Sequence, residues 1–363
     1  MKTAPPTAAR ATLQRAKTVV VKVGSRTLAN SPAFYTRMGA EICALQARGV
    51  RVVLVSSGAI ALGTKKLGYK RRPTEMPKLQ AAAAAGQSLL MRAWEEAFER
   101  AGGKVAQVLL SHADLSDRAR ANNARDALRA LLDADCTPIL NENDSVAVEE
   151  IKFGDNDQLA SLVAPLVDAD VLVLLSDVDG LLDEAGGRVP VVNDIESEAR
   201  PLLRDGKSAE GTGGMQTKLE AAERTTRYGA STVLANANAE GVLTQLLAGR
   251  DVGTLFVPAA RRMPAKHHWI AFTLRPTGDV VLDEGCARAV HAGKSVLAVG
   301  VLGVRGAWDA GDAVCLVGPD GSELGRALCK CSSVELARAA FARSHDVVVH
   351  RSDTVIWART SAV

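Results

Sequence analysis

The sequence predicts an α/β fold, an open and mostly parallel sheet sandwiched by helices, followed by a small C-terminal β-barrel. Three observations carry this. Strand-like apolar runs alternate with helical periods up to Phe256, as they do when parallel strands are joined by crossover helices. Several of those runs end in Gly, Ser, Asp or Asn. Beyond Phe256 the helical periods largely stop, and short β-rich runs punctuated by Gly and Asp take over.

In chain order, residues 1–17 carry Pro5, Pro6 and scattered basic residues without an apolar stretch. They read as a short disordered lead and not as a signal peptide. Strands are predicted at 18–23, 51–55, 105–110, 137–140, 171–175, 232–234 and 254–257. Helices are predicted at 35–47, 78–100, 117–133, 157–166, 215–228 and 241–248. The alanine run 81–85 strengthens the second helix, since Ala has the best helix propensity. These elements form a first domain over 18–257. Residues 258–268, with two prolines, two arginines and a lysine, read as a linker. The barrel takes 269–363, with strands expected at 269–274, 279–282, 295–301, 313–317 and 346–349.

Composition narrows the class. At 363 residues the chain is long enough for two domains with real cores. A net charge of only +3 gives no strong field toward nucleic acid or anionic membranes. No run reaches the roughly 18 apolar residues of a membrane helix, so the cytoplasm is the default compartment. The six cysteines match no zinc spacing and read as buried thiols in a reducing compartment. His267 and His268 are adjacent and cannot share one helix face, which argues against a metal site there.

Chemistry is expected at the strand ends, because in open α/β sheets the ligand crevice lies at the carboxyl ends of the strands. Five segments stand out. Gly211-Thr212-Gly213-Gly214-Met215-Gln216-Thr217-Lys218 joins glycines, which allow close backbone approach, to a helix start whose amides face an anion. Lys218 then falls on the first turn; a flexible surface loop is the competing reading. Val21-Lys22-Val23-Gly24-Ser25 sets a lysine inside an apolar strand, where an unpaired ammonium is costly. A solvent-facing strand lysine is the alternative, although only 14 of the 44 basic residues are lysines, so the surface favours arginine. Val55-Ser56-Ser57-Gly58-Ala59 offers hydroxyls and helix amides to a carboxylate, or is a plain helix cap. The cluster Asn141-Glu142-Asn143-Asp144, with Gly154-Asp155-Asn156-Asp157, is denser than caps require and could hold an ammonium, a metal or lysines. Leu175-Ser176-Asp177-Val178-Asp179-Gly180 places polar groups at another strand end, or is an Asp-Gly turn. Two motifs fail. Gly293-Lys294-Ser295 lacks the opening glycine of a Walker A loop, since Arg288 stands there, and no dinucleotide-binding G-x-G-x-x-G is present.

In this order, the five segments resemble the amino acid kinase family, most closely its glutamate-phosphorylating members. Leu67-Gly68, Gln80-Ala81-Ala82-Ala83 with Gly86-Gln87, and Asn123-Ala124-Arg125 extend the match. The resemblance implies ATP-dependent phosphorylation of the γ-carboxylate of L-glutamate, at the head of proline biosynthesis. Lys22 and Lys218 would neutralise the transferring phosphoryl group, and Asp157 would hold both lysines. Ser57, Asp144 and Asn156 would bind glutamate, with Asn141 and Asp155 nearby. Lys22, Ser176, Asp177 and the run Thr212, Gly213, Gly214, Met215, Gln216, Thr217 and Lys218 would contact ATP, with Mg²⁺ bridging its phosphates. The family further implies a homo-oligomer, often a tetramer, and a functional partnership with a glutamyl phosphate reductase.

Asp279–Gly285 and Lys294–Leu297 resemble a PUA domain, a small barrel also found in RNA-modifying enzymes, so RNA binding is a rival reading. Residues 181–187 depart from the family, which usually has Leu-Tyr and then Asp-Pro after the glycine.

Overall fold

The computed structural model describes residues 9–29, 32–146, 156–203 and 214–357. The chain divides into two compact units between Arg262 and Met263.

The first unit is built on strands β1 (Thr18–Val23), β2 (Arg51–Ser56), β3 (Lys104–Leu110), β4 (Cys136–Glu142), β5 (Val171–Ser176), β6 (Val191–Val192), β7 (Ser231–Asn236) and β8 (Thr254–Phe256). They form one sheet in the order β3-β4-β2-β1-β5-β7-β8-β6. Every pairing is parallel except β7 with β8. Strand β1 is central, buried along its whole length, and the chain winds outward from it in both directions. That is the switch point at which open α/β sheets bind ligands.

Helices cover both faces, which is why the inner strands are apolar throughout instead of alternating. α1 (Ser25–Ala29), α2 (Pro32–Gln46), α3 (Ala59–Lys66), α4 (Met76–Arg100), α5 (His112–Ser116), α6 (Arg118–Asp133), α7 (Asn156–Leu166), α8 (Met215–Tyr228) and α9 (Val242–Leu247) follow in chain order. One core layer joins Val19, Val21 and Val23 of β1 to Met38 and Ile42 of α2 and Trp94 and Phe98 of α4. The other joins Val20 to Leu128 of α6, Leu159 and Val163 of α7 and Leu219 of α8. Side chains alternate along a strand, so Lys22 falls on the face of Val20, toward α7 and α8.

α3 and α4 pack backbone to backbone. A Cβ on Gly63 would lie 1.7 Å from the carbonyl oxygen of Ala82, and one on Gly86 would lie 1.8 Å from that of Ala59. No side chain fits at either position, and this contact fixes α3 directly behind Ser57 and Gly58.

The second unit has a five-stranded sheet, β11-β9-β12-β13-β15, and a two-stranded ladder, β10-β14. These are β9 (Gly278–Leu282), β10 (Val296–Leu297), β11 (Val301–Gly306), β12 (Ala313–Val317), β13 (Glu323–Leu328), β14 (Val347–Val349) and β15 (Thr354–Ile356), with helices α10 (Ala265–His268), α11 (Glu284–His291) and α12 (Ser333–Phe341).

Four expectations need correction. The strand expected at 269–274 is a helical turn over Trp269–Thr273 that continues α10 and buries Ile270 and Ala271. A short apolar run carries no period that separates strand from helix. The strand expected at 295–301 breaks into β10 and β11 around a single turn, Ala298–Gly300. α11 and α12 were not foreseen. Within the expected disordered lead, Arg10–Arg15 forms a helical turn with Arg10 and Leu13 buried. The Arg10 guanidinium donates to the carbonyls of Pro190, Arg250, Val252 and Gly253 at 2.8–3.1 Å and lies 3.0 Å from Asp251. Among the described residues, no helix is long and apolar enough to cross a membrane.

Candidate active site

Lys22 occupies the last turn of pleat in β1, paired in register with Val55 of β2 and Leu174 of β5. Only 6% of its surface is exposed. Such a cation requires a counter-charge. Asp157, on the first turn of α7 and fully buried, supplies it: Lys22 Nζ lies 2.5 Å from Oδ1. Lys218, on the first turn of α8 and 7% exposed, reaches Oδ2 of the same carboxylate at 3.2 Å. Burial alone would push the Asp157 carboxyl up, but the two ammoniums outweigh it and hold it below its ordinary range. One carboxylate thus spaces two buried lysines, leaving a net positive charge at the centre of the sheet's carboxyl edge.

The surroundings keep this centre open. A Cβ at Gly24 would stand 3.9 Å from Lys22 Nζ, so glycine leaves the ammonium uncovered on that side. The cap of α8, Gly214, brings no side chain to the first amides of that helix, which suits them to phosphate oxygens. The Thr217 hydroxyl is 3.2 Å from Asp157 Oδ2 and 3.0 Å from the Gly214 carbonyl. Met215 and Gln216 begin α8, with Gln216 Nε2 donating to Glu220 Oε1 at 3.1 Å. Thr212 and Gly213 lie outside the described residues, as does Asp155.

A second group adjoins the lysines through Asn156, the residue before Asp157. Asn156 Nδ2 donates to Ser57 Oγ at 2.7 Å and to Asn141 Oδ1 at 2.9 Å, and Asn141 Nδ2 donates to Gln87 Oε1 at 2.9 Å. This chain ties the ends of β2 and β4 to the start of α7. Ser57, Asn141, Asp144 and Asn156 all line one cavity of about 390 Å³. Gly58, with φ of 108°, turns the chain from β2 into α3 through a conformation open to glycine. Burial raises the Asp144 carboxyl to about 6, against the opposing pull of Arg72.

On the other side of β1, at the end of β5, Ser176 Oγ donates to Asp177 Oδ1 at 3.0 Å, and Asp177 Oδ2 meets Arg26 Nη1 at 3.3 Å. Asn236, at the end of β7, donates to Asp179 Oδ1 at 2.8 Å. The atypical 181–187 stretch is a tight loop. The Leu181 N–H donates to Thr254 Oγ1, and the Asp183 N–H closes on the Gly187 carbonyl, both at 2.8 Å.

Sequence reasoning missed Lys65, Lys70 and Arg72, which line the same cavity as Asp144, and Arg26 beside Asp177. An exposed cation carries no local sign that it faces a cavity or a carboxylate. Among the described residues, no cluster of three or more His, Cys, Asp or Glu could hold a metal ion.

The amino acid kinase family matches residues 17–236, and the PUA domain matches residues 278–351. The chain is 44% identical to the glutamate 5-kinase of Geobacter metallireducens, over 95% of this chain and 99% of that protein. It is 47% identical to the glutamate 5-kinase of Thermus thermophilus, over 92% of each. Among solved structures, Giardia carbamate kinase shares the fold, with a TM-score of 0.51 at 18% identity, over 67% of this chain and 99% of that one.

Proposed function

The chain belongs to the amino acid kinase family and within it to the glutamate 5-kinases, and we propose that Lys22, Lys218 and Asp157 carry its reaction. It transfers the γ-phosphate of ATP to the γ-carboxylate of L-glutamate, giving L-glutamyl 5-phosphate, the first step of proline biosynthesis. The observation that supports this division of labour is the single buried carboxylate shared by two buried lysines.

The chemistry needs what this arrangement supplies. A side-chain carboxylate, with a reference pKa of about 4.3, is already ionised at neutral pH and needs no general base. The obstacle is charge, because an anion attacks a polyanion, so phosphoryl transfer rests on positioning and cationic stabilisation. Lys22 and Lys218 flank the transferring phosphoryl group, and Asp157 sets their spacing. The amides at the start of α8, with Gly214, Met215, Gln216 and Thr217, cradle phosphate oxygens, as would Thr212 and Gly213. Ser176 and Asp177 face the nucleotide. Ser57, Asp144 and Asn156 hold glutamate, with Asp144 accepting its ammonium. Mg²⁺ would come with the nucleotide and would supply positive charge to its phosphates; Asp157, engaged by both lysines, is not available to hold it.

The acyl phosphate is reactive and calls for a consuming enzyme, a glutamyl phosphate reductase, and a homo-oligomer is the assembly we assign. Six free cysteines fit a reducing, cytoplasmic compartment. Purified protein with ATP, Mg²⁺, glutamate and hydroxylamine should yield γ-glutamyl hydroxamate; none formed would overturn the substrate assignment.

A further inference from the structure

Asp144 does not face the acceptor cavity alone. Lys65 from the end of α3, and Lys70 and Arg72 from the connection to α4, line it as well. All three are exposed. Among the described residues, none of them makes an ion pair, whereas their neighbours Lys66 and Lys78 bond to Ser88 and the Ala85 carbonyl and to Glu75. The charge of Arg72 is nevertheless felt at Asp144, so the two lie within electrostatic reach across the cavity. An acid and a base that share a cavity without closing on each other complement a ligand carrying both charges. The α-carbon of an amino acid is such a group, with an ammonium and a carboxylate on one atom.

We propose that Arg72 is a specificity-determining residue, binding the α-carboxylate of the acceptor while Asp144 binds its α-ammonium, with Lys65 and Lys70 adding positive charge at the cavity mouth. The inference rests on the glutamate reading above and deepens it. The geometry divides the substrate cleanly. Asn156 carries the cavity wall to Asp157 and the lysine pair, so the reacting carboxylate lies at that end. The α-carbon end then lies toward Asp144 and Arg72. Discrimination follows from charge: a ligand lacking the second carboxylate leaves Arg72 without its anion, and one lacking the ammonium leaves a half-buried Asp144 anion without its cation. Guanidinium suits the first task, since it matches a carboxylate with two parallel donors.

Three ligands separate these contacts. Glutamate carries all three groups, 4-aminobutyrate lacks the α-carboxylate, and glutarate lacks the ammonium. The test measures kcat/KM for glutamate and the inhibition constants of 4-aminobutyrate and glutarate against it, by hydroxamate formation, in wild type and Arg72→Gln. The variant should lose about 10–100-fold in kcat/KM for glutamate, the value of one charge-assisted contact, through KM and with kcat held. Glutarate should weaken in parallel and 4-aminobutyrate stay within about twofold. Arg72→Lys should recover part of the loss. Because Arg72 is exposed, a folding defect is not the expected cause, and an unchanged melting temperature checks this. Equal weakening of all three ligands, or no weakening of glutamate, overturns the assignment while leaving the kinase reading intact. A wild-type protein that forms no hydroxamate from glutamate overturns both.

Discussion

Replacing Asp157 by asparagine keeps the shape of the site and removes the carboxylate that both buried ammoniums share. Lys22 and Lys218 are 6% and 7% exposed and sit 2.5 and 3.2 Å from the same carboxylate. Breaking a buried pair by removing one partner costs about 3–5 kcal/mol, because the remaining charge is left uncompensated. For a unit of this size each kcal/mol shifts the melting temperature by about 2–4 °C, so Asp157→Asn should melt about 6–20 °C lower. ATP replaces the missing counter-charge with its phosphates. Saturating nucleotide should therefore raise the variant's melting temperature by more than it raises the wild type's. Turnover should still fall on the order of 10²–10³, since the lysines lose their spacing. The pH dependence follows from the depressed carboxyl. Its contribution is fully present above the ordinary value of 3.8 and is lost as pH falls through the lower folded value. The stability gap between wild type and variant should thus close below pH 3.8. Calorimetry with and without ATP measures the stability changes, and the rate of hydroxamate formation measures turnover. An Asp157→Asn protein as stable as wild type, or one that ATP stabilises no more than wild type, would refute the counter-charge role.

Three further outcomes follow. Asp144 titrates near 6 in the free protein, and its anion is the form that takes the ammonium. KM for glutamate should therefore rise about tenfold per unit as pH falls below 6, with the acceptor carboxylate still ionised, and Asp144→Asn should be high and flat across that range. Gly63→Ala gains about 1 kcal/mol in helix propensity but drives a methyl to 1.7 Å from the Ala82 carbonyl. The clash, about 3 kcal/mol or more, should dominate; denaturant melts should show a net loss, and KM for glutamate should rise more than KM for ATP. Arg10→Met orphans four carbonyls. It should cost at least about 3 kcal/mol in denaturant melts while leaving both KM values in place.

What was legible in the sequence was whatever an apolar run and its polar end could announce together. Lys22 in a valine strand, Lys218 one turn past a glycine run, and Ser57 after a buried strand each carried such a sign, and the structure brings all three to one edge of the sheet. The union of Lys22 and Lys218 on Asp157 joins distant stretches of the chain, Lys218 alone lying 61 positions from Asp157, and no local pattern encodes it; only the family resemblance suggested it. Lys65, Lys70 and Arg72 were illegible, because the wall they face across the cavity, with Asn141, Asp144 and Asn156, comes from far away in sequence. The second unit failed for a different reason. Ser332 and Glu335 form a capping box at the start of α12, and Asp283 caps α11, so the signs of both helices were present but short. The turn at Trp269–Thr273 is apolar without period, and burial of Ile270 and Ala271 decides its form. Arg10 looked like one more basic residue in a polar lead until four carbonyls from elsewhere in the chain closed around it.

The most direct test of the paired-lysine centre is the rate of γ-glutamyl hydroxamate formation by Lys22→Met and Lys218→Met at saturating ATP and glutamate, with ATP affinity measured alongside. Each variant should lose on the order of 10²–10³ in kcat with a much smaller change in ATP binding. Near-normal turnover in both would contradict the assignment.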